Sequence, residues 1–195
     1  NIIFTIGGAE DDDDEYLLYI CALLNSRAFR FLVSLQLGTQ ELAQSYEAGL
    51  IQQTPIPKQH IEDMQRLSVL AEKSFRYKQS KDFVDETSKL FLLPLKLLRR
   101  FEGYSFEGVN RALIDLQSEI DEICYSLYGF DPKDIAAADK VRAGGLAYVE
   151  NINSKSVDVD DYFSILSWAV GVAFGRFDVR FATGERALPP EPKPF

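Results

Sequence analysis

Apolar residues recur along this chain at helical spacing more often than at strand spacing. An apolar side chain every three or four residues lines one face of a helix, whereas strict alternation lines one face of a strand. The strongest run spans 107–128, where Val109, Leu113, Leu116, Ile120, Ile123 and Leu127 alternate by four and three residues. That spacing predicts a long helix with a coiled-coil-like seam, closed by Gly129 as its C-cap. A second long helix is predicted over 58–81, with Ile61, Met64, Leu67, Ala71 and Phe75 at helical positions. Two shorter helices are predicted over 15–24 and 27–37, the second stopping at Gly38. Asn25-Ser26 separates them, and both residue types make good N-caps. The acidic run Glu10 to Glu15 precedes the first of them, where free N–H groups and the macrodipole favour negative charge.

Downstream, Asp131-Pro132 starts another helix with proline at its first position, and Ala143-Gly144-Gly145 ends it. Residues 93–101 hold a short helical turn, and 82–92 and 151–158 read as irregular. Asp160 or Asp161 caps a last apolar helix over 162–174. Strand signals are few. Ile2 to Ile6 forms an apolar run ended by Gly7-Gly8, and Ile51 to Pro57 alternates and ends in two prolines, as an edge strand does. Residues 175–181 read as extended, with Phe177, Val179 and Phe181 on one face and Asp178 and Arg180 on the other. The expected class is mainly α with a few short β-strands (α+β): a helical bundle or spacer packed on the remnant of a sheet.

Composition narrows the picture. A hydrophobic fraction of 46% is ordinary for a globular chain. No apolar run approaches the roughly 20 residues of a membrane span, and no signal peptide is visible. Both ends read as cuts from a longer protein: the first residue is Asn1, and the last residues are proline-rich. Cys21 and Cys124 lie in apolar helical patterns and read as buried thiols of a cytoplasmic protein. The net charge of −9 opposes nucleic-acid binding by the surface as a whole. It is uneven, at −6 over 1–57, +4 over 58–100 and −7 over 101–195. Only the middle stretch could face phosphates, and a solvated helix face explains its charge equally well.

Catalytic patterns are missing. Neither Gly7-Gly8 nor Gly144-Gly145 continues into a phosphate-binding loop. His60, the one histidine, begins an amphipathic helix and reads as a surface residue. One histidine and two separated cysteines make a poor zinc set. Asp121-Glu122 and Asp160-Asp161 are adjacent on helices, so their side chains do not face each other as an acid/base couple would. The expectation is a chain with no catalytic, cofactor-binding or metal-binding residues of its own.

Three stretches resemble a known family. The first is Leu23-Leu24-Asn25-Ser26-Arg27-Ala28-Phe29-Arg30-Phe31, followed by Ser45-Tyr46-Glu47-Ala48-Gly49 and Thr54-Pro55-Ile56-Pro57. The second is Asp85-Glu86-Thr87-Ser88-Lys89-Leu90-Phe91-Leu92-Leu93-Pro94, with Glu119-Ile120-Asp121-Glu122-Ile123 and Leu127-Tyr128-Gly129. The third runs from Ser167 to Gly184 and contains Gly175-Arg176-Phe177-Asp178-Val179-Arg180-Phe181. Together they resemble the C-terminal part of type II (IIG-like) restriction enzyme methylase subunits, with the BREX, or phage-growth-limitation, class 1 DNA methyltransferases as the nearest group.

The resemblance implies a prokaryotic, cytoplasmic parent that methylates adenine N6 in DNA with S-adenosylmethionine. The Asn-Pro-Pro-Tyr/Phe motif and glycine-rich cofactor loop of that family are absent here. The chain would therefore be a non-catalytic specificity and scaffold region: residues 1–57 the end of a target-recognition-like domain, 58–130 a long-helix spacer, and 131–195 a C-terminal helical subdomain. Its expected partners are DNA and the upstream methyltransferase domain. Gln can read adenine and Arg guanine, so the DNA-contact candidates are Arg27, Arg30, Gln52, Gln53 and Lys58. Arg176 and Arg180 are candidates for pairing with an acidic residue or a phosphate. The competing expectation is a structural helical module that docks another domain or subunit without touching DNA.

Overall fold

A computed structural model describes residues 14–36, 48–58, 60–100, 105–145 and 157–187. All regular elements among these residues are helices: α1 (Asp14–Asn25), α2 (Arg27–Gln36), α3 (Ala48–Gln53), α4 (Ile61–Asp82), α5 (Leu95–Leu98), α6 (Phe106–Tyr128), α7 (Pro132–Gly145), α8 (Val157–Ala173) and α9 (Arg180–Thr183). The protein is mainly helical, as the periodicity predicts. The strand expected at Ile2 to Ile6 lies outside the described residues. No single helix among the described residues is long and apolar enough to cross a membrane.

The chain forms two compact units, each drawn from separated segments. Unit 1 takes Asn1–Lys73 with Asp115–Asn153, and unit 2 takes Ser74–Ile114 with Ser154–Phe195. In unit 1, Tyr19, Ile20 and Leu23 of α1, Ala28 of α2, Leu67 and Leu70 of α4, Ile120, Ile123 and Cys124 of α6, and Ala138 of α7 share one core. In unit 2, Leu93, Leu98 and Trp168 form the buried centre, with Phe91, Phe177 and Phe181 packed against it.

Local chemistry sets the helix ends. Ser26 caps α2, its hydroxyl oxygen accepting from the Phe29 N–H at 3.2 Å, as an N-cap does. Asp131 caps α7, accepting from the N–H groups of Lys133 and Asp134 at 2.7 and 2.9 Å. Gly129 closes α6 at φ +66°. There the Gly129 N–H donates to the Ser126 carbonyl and the Phe130 N–H to the Tyr125 carbonyl. This is a Schellman end, and the Phe130 and Tyr125 rings stack across it at 5.5 Å.

Three expectations are corrected. Residues 51–53 are helical, not an edge strand. A few alternating residues specify a strand weakly, and leucine and glutamine are good helix formers; the prolines begin only after Thr54 has ended the turn by donating its N–H to the Ile51 carbonyl. Residues 175–181 are not extended. Gly175, at φ +74°, ends α8 in a second Schellman turn, with the Arg176 N–H donating to the Gly171 carbonyl at 2.7 Å. The Phe177 ring lies against Gly171 where any side chain would collide, and Asp178 then opens α9 by accepting from the Arg180 N–H at 3.0 Å. Cys21 is exposed, while Cys124 is buried, and both are free thiols.

Candidate nucleic-acid interface

The break between α1 and α2 is a polar junction inside unit 1. Asn25 turns back to donate to the Cys21 carbonyl at 2.8 Å. Ser26, fully buried, donates to the Leu23 carbonyl at 2.7 Å. The next residue, Arg27, is fixed to α6. Its backbone N–H donates to Asp121 Oδ1 at 2.7 Å, and its Nε lies 3.0 Å from Asp121 Oδ2. Gln117 donates to the same carboxylate at 3.0 Å, and Arg27 Nη1 reaches Asp139 of α7 at 3.2 Å. Asp121 is 2% exposed. Burial pushes its carboxyl above the usual range, while the Arg27 amide and guanidinium and the Gln117 amide act against that.

Arg27 is thus committed within unit 1 rather than free for a phosphate. Arg30 lies one turn further along α2. It donates through Nη2 to the Asn25 carbonyl at 3.2 Å, and its Nε is buried with no partner among the described residues.

Gln52 and Gln53 end α3 and Lys58 lies on the short link from α3 to α4, and all three are exposed. The link is held at two points. Gln36 at the end of α2 donates to the Thr54 hydroxyl at 2.7 Å, and the Tyr128 hydroxyl at the end of α6 donates to the Pro55 carbonyl at 3.0 Å. Burial raises the Tyr128 hydroxyl well above its ordinary pKa, so it stays a donor. His60 is also exposed on this link. The arrangement offers two amides at a helix end and one cation on the braced link that follows, groups suited to contacts with a polar, anionic surface.

Arg176 and Arg180 belong to unit 2. Arg180 grips both oxygens of Asp178, through Nε at 2.9 Å and Nη2 at 2.8 Å, and Arg186 adds a third contact at 2.8 Å. These two guanidinium groups hold the Asp178 carboxyl far below the usual carboxylate range. Arg176 lies 3.6 Å from Glu86 and over the Phe177 ring at 4.8 Å, yet remains 63% exposed. Ser167 of α8 donates to the same Glu86 at 2.8 Å.

The structure adds residues the sequence did not single out for a role: Thr54, Gln117 and Asp139. Asp121 stood out as one of an adjacent acidic pair and as part of the Glu119-to-Ile123 stretch, with no structural role attached. Its helical phase, one turn before the apolar Cys124, carried the signal that it faces inward. Among the described residues, no group of three His, Cys, Asp or Glu side chains could share a metal ion. No protein-family model, curated protein or solved structure matches the chain.

Proposed function

We propose that the chain is a non-catalytic specificity and scaffold region of an S-adenosylmethionine-dependent, adenine-specific DNA methyltransferase of a restriction–modification or phage-defence system. The observation that carries the reading is the Arg27–Asp121 junction, which ties the Asn25-Ser26-Arg27 stretch to the Glu119-to-Ile123 stretch. Those are the residues on which the family resemblance rests. Glu86, meeting both Ser167 and Arg176, ties the remaining stretches in the same way within unit 2. Residues that a resemblance singles out for no catalytic reason here have a concrete structural one. In this reading Arg27 and Arg30 build the junction, and Gln52, Gln53 and Lys58 meet the duplex, where phosphate contacts fix register and amides read base edges. The transfer chemistry and the cofactor belong to the rest of the parent enzyme.

A second reading, an interaction module that does not touch DNA, draws support from the exposed apolar residues along α8 and just after it: Tyr162, Leu166 and Phe174 are 68%, 61% and 87% exposed. A gel-shift with short duplex DNA at low salt separates the two. Retention of DNA that is weakened by Lys58→Glu supports the specificity reading. No retention at low salt contradicts it and leaves the interaction module.

A further inference from the structure

The link from α3 to α4 holds an apolar side chain out to solvent on a stiff backbone. Residues 54–58 read Thr-Pro-Ile-Pro-Lys. Thr54 is buried, whereas Ile56 is 49% exposed. Thr54 and Ile56 each precede a proline, which keeps a residue extended, and each proline ring fixes its own φ. The Gln36–Thr54 and Tyr128–Pro55 hydrogen bonds anchor the segment to α2 and α6. Ile56 therefore has little freedom to turn inward. Neither proline has an N–H, and the Pro55 carbonyl already accepts from Tyr128. Such a link offers a partner few main-chain hydrogen bonds. What it presents is an isoleucine, with exposed Gln52 and Gln53 before it and exposed Lys58 after it. A lone exposed apolar residue is ordinary; this one is held rigidly between two amides and a cation.

We propose that Ile56 is a wedge that enters the base stack of duplex DNA from the minor groove. The wedge rests on the DNA reading given above and adds how the link meets the duplex. Minor-groove proteins press Ile, Leu or Pro between base steps and kink the duplex toward the major groove, while Lys and Gln side chains meet the groove itself. The link and the helix end before it bring that combination together. Two extended residues span about 7 Å, close to two base steps of about 3.4 Å each. Lys58 thus holds a phosphate while Ile56 meets the stack. The minor groove shows A·T and T·A alike as acceptors, which suit the N–H donors of Gln52 and Gln53. A wedge costs least at pyrimidine–purine steps such as TA, which unstack most easily. Glu62 and Asp63 in the first turn of α4 repel phosphates, which confines the contact to the link and the end of α3.

The test uses the full 195-residue chain and a short duplex whose single central TA step carries a fluorescent adenine analogue that brightens on unstacking. The expected result is a rise in that fluorescence on binding. Energy transfer between labelled duplex ends should rise with it, as a kink of about 20–90° requires. Ile56→Leu should keep both signals. Ile56→Ser should lose most of both and keep the salt slope of binding, because phosphate contacts set that slope. Lys58→Glu should do the reverse, lowering the slope by about one unit while the duplex still bound remains bright. Helix content by circular dichroism should be unchanged in all three, since both side chains are exposed. Duplex bound with no rise in fluorescence, or a rise equally large in Ile56→Ser, overturns the wedge and leaves the specificity reading standing. No binding at low salt overturns both.

Discussion

Asp121 shows how one side chain can fix a helix break. It accepts from a backbone amide and a side-chain amide, and lies 3.0 Å from the Arg27 guanidinium, while almost wholly buried. Removing a buried charge partner leaves the others desolvated and unpaired, a cost that usually exceeds the net worth of the pair. Asp121→Ala should therefore destabilise unit 1 by about 3 kcal/mol in chemical denaturation. Asp121→Asn, which keeps an acceptor, should cost less. Asp178 makes the corresponding prediction in pH. Its folded pKa is depressed by Arg180 and then Arg186. The stability it contributes is complete above the unfolded carboxyl value of about 3.9 and is lost as pH falls through the lower folded value. The Arg180 Nε–H resonance should hold its position through pH of about 4 and move only in stronger acid; Asp178→Asn, which has no carboxyl to protonate, should abolish that movement.

At the scale of elements, period told more than propensity. The four-and-three spacing of α6 gave its extent closely, because the seam residues Val109, Ile120 and Ile123 become buried. Ile114 is as hydrophobic but lies off the seam and is 66% exposed. Ile120→Ala should cost about 2–4 kcal/mol, through lost burial and a residual cavity. Ile114→Ala should stay within about 0.5 kcal/mol, as expected of a surface site. Urea unfolding of both variants checks the pair. Caps were equally legible where one residue type serves one purpose, as at Ser26, Asp131 and Gly129. Alternation misled at Ile51 to Pro57 and at 175–181, because short alternating runs carry little information against turn chemistry. Phe177, Val179 and Phe181 alternate in sequence. Once Gly175 turns the chain, however, Phe177 and Phe181 reach the core of unit 2 one helical turn apart, and Val179 is left 44% exposed.

At the scale of the molecule, each unit is assembled from segments far apart in the chain. No linear reading of charge or composition shows that residues near 27 and near 121 meet. For that reason the candidate contacts were legible as residue types but not as a site. Arg27 and Lys58 look alike in sequence, yet one is held between two carboxylates and the other is exposed. The net charge of −9 further requires that any DNA contact be local, made by a braced link rather than by a basic face. The most direct test of the proposed role is the salt dependence of duplex binding by the chain, followed by fluorescence anisotropy. Each phosphate neutralised contributes about −0.9 to the slope of log K against log salt. A contact centred on Lys58 predicts weak binding with a slope of about −1 to −2, reduced by about one unit in Lys58→Glu. Absence of binding at low salt, or a slope unchanged by Lys58→Glu, would contradict the account.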